Sequence, residues 1–412
     1  MDSHLYLILK RWVLACAVLV LLITVFNFLV DPYLIFGTPR VAGFNQRKPA
    51  VDTQQLMMKS YDVLREQHTT ILIGSSHVDW GLDAQDVAWP AQYSPVYNLS
   101  LPGGNLYHSY RYLQHLLSEQ RPKFAVIGVD LDHFTIGGYG PGPGPPLVEQ
   151  RFRVTPTGQR NPEFESQRAS DVALAIFSLD ALLDSAATVV SNWSDASADM
   201  VAGNWIFGRN HGPDVGTYSR ASVLNLWMAR DLGTRKKDDG RAAKELLERI
   251  LELFASRGTD VILFINPYHV DYLELRELAN FVEVTELRKH ELLEIVTRHS
   301  GPQAPNRVSL WDFSGYNVFS TEKIPRTGRA LYWSDTNHYT RTVGHEIILR
   351  IFGASSRDFG TRLTNENIDS WLERLREQHL QYRATHESEV RRIRDLYTAV
   401  TMHQPVTVAD RR

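Results

Sequence analysis

The chain has 412 residues, of which 43% are hydrophobic and 22% are charged, as is typical of a globular protein with a sizeable core. This length predicts one large domain or two smaller ones. The formal net charge of -3 argues against a nucleic-acid-binding protein, which would need a basic face. The single cysteine, Cys16, excludes an internal disulfide and a cysteine-based metal site.

The N-terminal part contains an apolar run over residues 12–30 that has no charged residue inside it. A helix of about 19 residues spans about 28 Å, which is close to the thickness of the hydrocarbon layer of a membrane. Lys10 and Arg11 precede the run and Asp31 follows it. The positive-inside rule therefore predicts a cytoplasmic tail over residues 1–11, a single span of the inner (plasma) membrane, and an extracytoplasmic remainder. A cleaved signal peptide is the competing interpretation, but the run does not end in small residues, and its length disfavours a buried helix of a soluble protein.

The segment after the predicted span begins with a spacer over residues 31–50 that is rich in Pro and Gly. Apolar periodicity then predicts these elements in chain order: a helix over 51–68, a strand over 69–74, a strand over 96–99, a helix that ends at 117, and a strand over 124–129. Two consecutive β-α-β patterns predict a three-layer α/β/α fold with a central, mostly parallel sheet.

The α/β pattern is interrupted by a Gly/Pro-rich loop over 136–150, which is either a flexible surface loop or a lid that faces a substrate. Residues 151–235 contain helical patches without a clear strand, and we interpret them as a helical insertion. The pattern then resumes, with helices predicted over 240–258, 274–299 and 341–353 and strands over 259–267 and 307–313. The α/β domain is thus expected to cover 51–353, and a charged helical tail to cover 354–412.

Two short motifs carry residue types that are suited to acyl chemistry. Ser75 and Ser76 follow Gly74 at the end of the first predicted strand, and ligands of open parallel sheets bind at the carboxyl ends of strands. A serine there is either a nucleophile or a cap of the following helix. Asp335 and His338 stand three residues apart before the last predicted helix of the sheet region. At that spacing the aspartate can orient an imidazole toward a nucleophile, although a helix cap and a surface histidine are the alternative interpretation.

The two motifs together, about 260 residues apart, resemble the SGNH/GDSL hydrolase superfamily over residues 69–353. The chain resembles the membrane-anchored branch of this superfamily, whose members take part in polysaccharide O-acetylation such as alginate acetylation. The resemblance implies that Ser76 is the nucleophile, His338 the base and Asp335 the residue that orients the base. It also implies that the backbone N–H of Gly103, in the segment Asn98-Leu-Ser-Leu-Pro-Gly, helps to form the oxyanion hole.

The third motif of the family departs from the expected pattern. Members often have Gly-x-Asn, whose amide donates to the oxyanion, whereas this chain has Asp130. An ionised carboxylate cannot donate a hydrogen bond, and the loss of one oxyanion donor costs on the order of 10²–10³ in rate. We therefore expect that another donor substitutes, that Asp130 turns away, or that catalysis is impaired. His77 is either part of the site or structural, and Asn266 and His269 are further candidates for the lining of the site.

Other possible sites are weaker. Asp130, Asp132 and His133 would be divided between two faces of a strand, so we expect no metal site, and no motif predicts a cofactor. Five tryptophans are candidates for stacking on sugar rings, although tryptophan more commonly packs in a core: Trp80, Trp89, Trp205, Trp311 and Trp333.

The resemblance and the predicted anchor together imply an extracytoplasmic serine esterase or O-acyltransferase. Its expected substrates are acyl esters, in particular acetyl esters, of a cell-envelope polysaccharide. An acyltransferase would need a polytopic membrane partner that brings acyl groups across the bilayer. The alternatives are a non-catalytic SGNH-like protein that binds a glycan or a partner, and a lipid or thioester hydrolase in which residues 151–235 shape an apolar pocket.

Overall fold

The computed structural model describes residues 3–137, 149–193, 199–201, 204–206, 217–301, 304–325 and 330–402. The chain forms two compact units. The first comprises residues 1–65, 145–201 and 205–212, and the second comprises residues 66–144, 202–204 and 213–412.

The helices of the described residues are α1 (Ser3–Val30), α2 (Val51–Asp62), α3 (Ser76–Gly81), α4 (Leu106–Leu117), α5 (Asp132–Thr135), α6 (Phe164–Phe177), α7 (Leu179–Ser191), α8 (Thr217–Thr234), α9 (Arg241–Ala255), α10 (Val270–Leu278), α11 (Val282–Arg298), α12 (Arg341–Ile351), α13 (Ile368–Thr385) and α14 (Glu387–Thr401). The strands are β1 (Thr70–Ile73), β2 (Val96–Asn98), β3 (Phe124–Val129), β4 (Asp199–Val201), β5 (Asn204–Ile206), β6 (Asp260–Ile265), β7 (Val308–Asp312) and β8 (Thr361–Leu363).

Six strands of the second unit form one sheet in the order β2-β1-β3-β6-β7-β8. All neighbouring strands are parallel except β7 and β8, which are antiparallel. All four residues of β1 are buried, as expected of a parallel strand that is covered on both faces. The predicted α/β class with a central, mostly parallel sheet flanked by helices is therefore confirmed.

The helices cover the sheet through faces that the sequence spacing defines. In α9 the buried positions recur at helical intervals from Ala243 to Phe254, and the helix packs against α4 and β6. A separate core cluster joins Phe264 of β6 to Val78 of α3 and Ile347 of α12. This cluster lies beneath the elements that carry the predicted serine and histidine motifs.

Three parts of the chain differ from the sequence-based expectation. The segment 354–412 was predicted as a helical tail, but it also supplies β8, and its Trp371 indole donates to Asp312 Oδ2 over 2.8 Å. The helix predicted over 274–299 is two helices, α10 and α11, separated where Asn280 has a positive φ of 59°. The predicted helical insertion 151–235 also contains the strands β4 and β5, which form a separate two-stranded sheet. Most of the predicted loop 136–150 lies outside the described residues.

In the first unit, α1 is continuous with an organised turn. Asp31 follows α1 in a left-handed conformation with φ 48°, and its carboxylate accepts the backbone N–H groups of Ile35 and Gly37. A small core next to this turn includes Tyr33 and Phe164. The start of the spacer is therefore fixed by one buried carboxylate, although it contains no regular element.

Candidate active site

The candidate site lies at the carboxyl edge of the sheet, where the strand order reverses. In the sheet, β2 lies on one side of β1 and β3 lies on the other, so the strand order reverses between β1 and β3. Ligands of open α/β sheets bind at such a switch point. Ser76 follows β1, Asp130 follows β3, and Asn266 follows β6, which pairs with β3.

The two serines after β1 have different roles in the local structure. Ser75 is the N-cap of α3, and its Oγ accepts the backbone N–H of His77 over 3.3 Å. Ser76 is the first residue of that helix, so its hydroxyl is available for other contacts. A Cβ at Gly74 would overlap the side chain of Val78, so the sharp turn from strand to helix requires glycine. The capping interpretation thus applies to Ser75 and not to Ser76.

Ser76, His338 and Asp335 form a continuous relay of hydrogen bonds. Ser76 Oγ lies 2.8 Å from His338 Nε2, and His338 Nδ1 lies 2.8 Å from Asp335 Oδ2. With its proton on Nδ1, facing the carboxylate, the imidazole can accept the serine proton at Nε2. The structure therefore brings together the three residues that the sequence motifs predicted as a triad, across 262 positions of the chain.

The carboxylate of this relay is held by its own turn. Asp335 Oδ1 accepts the backbone N–H groups of Asn337 and His338, each over 2.8 Å. Burial opposes ionisation of Asp335, but the contact with His338 and the two N–H groups prevail and lower its pKa. Asp335 therefore remains an ionised acceptor at neutral pH.

Two aromatic rings contact the imidazole of His338. The Trp80 ring centroid lies 4.1 Å from that of His338, and the His77 ring stacks on it at 5.1 Å. Among the five tryptophans considered above, Trp80 is the one in this contact, whereas Trp89 and Trp333 are buried in the core. The side chain of Trp205 is outside the described residues.

Asp130 is a paired carboxylate. His77 Nδ1 lies 2.9 Å from Asp130 Oδ1, and the Asn266 side-chain amide donates to the same oxygen over 2.7 Å. Tyr339 O–H in turn donates to Asn266 Oδ1 over 3.0 Å. Burial opposes charge on His77, but the Asp130 carboxylate outweighs it and raises the pKa of His77 to about 9. The same pairing lowers the pKa of Asp130 against its own burial. Asp130 and His77 thus form a buried ion pair beside the Ser76–His338–Asp335 relay, and the charges of the pair largely cancel.

The segment with Gly103 lies at the same edge of the sheet. Leu101 N–H donates to Gly74 O over 3.1 Å, which aligns the segment after β2 with the turn that carries the serines. Gly103 has a φ of +66°, and apart from its chain neighbours no described residue has an atom within 4 Å of the position that a Cβ would take. The Asn98 amide donates to the carbonyls of Val78 and Leu82, and so fixes α3 to β2.

Two sequence-based interpretations need correction. His269 was a candidate for the lining of the site, but it caps α10, with Nδ1 accepting Asp271 N–H and Nε2 2.7 Å from Glu322 O. Both ring nitrogens are thus used in local structure. Strand alternation was invoked for residues 130–133, but β3 ends at Val129 and residues 132–135 are helical. Asp132 instead contacts Tyr272 and Arg276.

Tyr339 and Asn98 support the site without having been singled out as site residues from the sequence. Tyr339 directly follows His338, but its contact with Asn266 depends on a side chain 73 positions away. Asn98 donates to backbone carbonyls, and no pattern of residue spacing in the sequence predicts such contacts.

Comparison of the chain with protein-family models and with curated proteins gave no match.

Proposed function

We propose that the protein is a serine-dependent esterase or O-acyltransferase of the SGNH/GDSL type, which acts on acetyl esters of a cell-envelope polysaccharide. The observation that carries this proposal is the hydrogen-bonded relay from Ser76 through His338 to Asp335. The resemblance of the motifs around these residues supports the assignment to that superfamily. The polysaccharide is inferred from the resemblance to membrane-anchored members and from the predicted topology.

The proposed reaction begins when His338 Nε2 removes the proton of the Ser76 hydroxyl as its oxygen attacks the ester carbonyl. The resulting oxyanion is stabilised by the backbone N–H groups of Ser76 and Gly103. His338 then protonates the leaving alcohol, which leaves an acyl-enzyme. Water that resolves this intermediate makes the protein an esterase, and a sugar hydroxyl makes it an acyltransferase.

The state of Asp130 bears on the choice between a catalytic and a non-catalytic protein. An unpaired carboxylate in the oxyanion region would repel the developing negative charge. Asp130 is instead paired with His77 and bonded to Asn266, so it presents no isolated negative charge. This pairing weakens the argument from charge repulsion for a non-catalytic glycan-binding protein, whereas the missing amide donor at position 130 still lowers the expected rate.

We further propose that α1 is an uncleaved single span of the inner membrane, with the N-terminus in the cytoplasm and the remainder extracytoplasmic. The helix is long and apolar enough to cross a membrane, and Lys10 and Arg11 lie in it directly before the apolar run over residues 12–30. Its C-terminal end is packed within the first unit, because Asn27 and Val30 are fully buried. A signal peptide that is removed would not need such contacts.

The test is hydrolysis of an activated acetyl ester by the full chain in detergent micelles. Ser76→Ala is expected to lower kcat by on the order of 10³ or more, because it removes the nucleophile. The matched control is Ser256→Ala, which changes an exposed serine after α9. Equal rates for the wild type and Ser76→Ala would refute the catalytic proposal.

A second experiment separates the substrate classes. The full chain is incubated with an acetylated polysaccharide and, separately, with long-chain acyl esters and thioesters. The proposal predicts release or transfer of acetyl groups, and adding an unacetylated glycan distinguishes transfer from hydrolysis. Preference for long acyl chains would favour the lipid or thioester hydrolase instead.

A further inference from the structure

The first unit contains a pair of helices whose apolar side chains face outward. α6 and α7 meet at Ser178 with a bend of 60°. Six large apolar side chains, from the second half of α6 to just after the end of α7, are between 58% and 73% exposed: Leu174, Phe177, Leu179, Leu183, Val190 and Trp193. A contiguous apolar face of this kind on a protein in water marks an interaction site.

The pattern of α7 is reversed relative to a helix of a soluble protein. Its buried residues are small or polar, namely Ala181, Ser185 and Thr188, whereas Leu183 and Val190 are exposed. A helix at a water-facing surface buries its apolar stripe and exposes its polar one. Small residues on the packed side and large apolar residues on the outer side are typical of helices that contact lipid.

The position of α1 indicates what covers this face. The first side chain of α1 that is partly buried is Ile23, and the buried and partly buried positions all lie in its last two turns. Both α6 and α7 pack against α1. The Asn27 side-chain amide donates to Ile176 O over 2.9 Å, next to the bend. Since Asn27 precedes Val30 by three residues, the bend lies about 4–5 Å inside the end of the apolar helix. The exposed apolar face thus begins at the depth of the last turn of the proposed span.

The polar residues of the helix pair limit how deep it can insert. The first half of α6 exposes Glu165 and Arg168, so it lies in water. Asp180 is exposed in the first turn of α7, and a carboxylate is costly in hydrocarbon. Trp193, after the end of α7, is of a type that collects at membrane interfaces. These features fit a helix pair that lies in the interface and does not cross the bilayer.

We propose that the α6–α7 helix pair is a second membrane-binding element, which inserts its bend into the outer leaflet of the bilayer that α1 spans. This inference rests on the proposed membrane anchorage of α1, but it does not depend on the proposed esterase chemistry. Its ligand is the lipid surface itself. The element would fix the first unit against the membrane at two points instead of one.

The test uses the full chain in phosphatidylethanolamine–phosphatidylglycerol vesicles without any other protein. Because Cys16 is the only cysteine, Cys16→Ser gives a background for single spin labels. Labels are placed at Leu183→Cys and Phe177→Cys, and the matched control is Glu165→Cys, an exposed position in the first turn of α6. We expect labels at 177 and 183 to collide more with oxygen than with a water-soluble nickel complex, and the label at 165 to show the opposite preference.

Each other outcome contradicts the inference in a distinguishable way. Labels at 183 and 165 that are equally accessible to nickel, in a chain that resists alkaline extraction, would overturn the insertion while leaving the anchor intact. Release of the chain by alkaline extraction would overturn the anchor and the insertion together. A label at 183 that is exposed to nickel in pure vesicles but shielded in native membranes would assign the face to a protein partner. The ester hydrolysis of the labelled chain is measured in parallel, so failure of the catalytic proposal is recorded separately.

Discussion

Asp335→Asn is the substitution that most specifically tests the role of the candidate relay. The replacement keeps an oxygen that can accept the N–H groups of Asn337 and His338, so the turn is preserved. Its amide nitrogen, however, would face His338 Nδ1 and donate to it. The imidazole would then carry its own proton on Nε2, the nitrogen 2.8 Å from Ser76 Oγ, and could not accept the serine proton.

The expected magnitude follows from this change of tautomer. In serine proteases the corresponding substitution lowers kcat by about 10⁴-fold, which is about 5.4 kcal/mol of transition-state stabilisation. We expect a similar loss for acetyl-ester hydrolysis by the Asp335→Asn chain. The melting temperature should change little, because the backbone contacts of the turn are retained.

The assay measures kcat and the melting temperature of the full chain in the same detergent. Asp86→Asn is a matched control, because Asp86 makes the same type of 2.8 Å contact with His345 outside the relay. A kcat of Asp335→Asn within about threefold of the wild type, with an unchanged melting temperature, would show that the orientation of His338 is irrelevant and would refute the reasoning.

Three further substitutions test the packing and charges of the second unit. The Asp130 carboxylate raises the pKa of His77 to about 9 in the folded chain. The stability that protonated His77 gives to the fold is therefore complete below about pH 6.5 and is lost as the pH rises through 9. In His77→Gln the melting temperature should fall less steeply over this pH range. In Gly344→Ala the new Cβ would overlap the Gly81 carbonyl oxygen. The substitution should cost about 1–3 kcal/mol of stability and, by displacing α3, lower the rate of the proposed ester hydrolysis. Lys289→Met leaves the buried Asp312 without its cation and should cost about 3–5 kcal/mol in chemical denaturation.

For His77→Gln, a melting temperature that falls as steeply with pH as that of the wild type would contradict the argument. Gly344→Ala and Lys289→Met each have a control in the same unit. Within the described part of the chain, no residue beyond the direct neighbours of Gly301 has an atom within 4 Å of a new Cβ, so Gly301→Ala should change the stability by less than about 0.5 kcal/mol. Lys244 pairs with Glu291 at a partly exposed position, so Lys244→Met should cost no more than about 1 kcal/mol. Equal effects of a test variant and its control would contradict the corresponding argument.

The sheet was predictable because its strands are short apolar runs that alternate with amphipathic helices. β3 has the predicted bounds, and β1, β6 and β7 lie within theirs. β8 was missed because Thr361–Leu363 is a three-residue strand that lies at the sheet edge and carries little apolar signal. The break between α10 and α11 was missed because a left-handed asparagine, Asn280, has no distinctive pattern in an otherwise helical stretch.

The candidate relay was predictable from two motifs that are weak separately and informative together. Their contact distance could not be predicted, because it depends on how α3 and α12 approach through Gly81 and Gly344. The role of Asp130 could not be predicted, because the sequence shows that it is acidic but not which residue its carboxylate contacts. Its partner His77 is 53 positions away, and the geometry of β1 and β3 brings the two side chains together.

Covalent trapping with an active-site reagent tests whether Ser76 is the nucleophile. The full chain is treated with an alkyl fluorophosphonate, and the modified residue is located by peptide mass spectrometry. We expect a single phosphonylated serine, Ser76, and the loss of this modification in His338→Ala, because a serine hydroxyl is a weak nucleophile without a base. Modification of another residue, or equal modification of Ser76 with and without His338, would contradict this expectation.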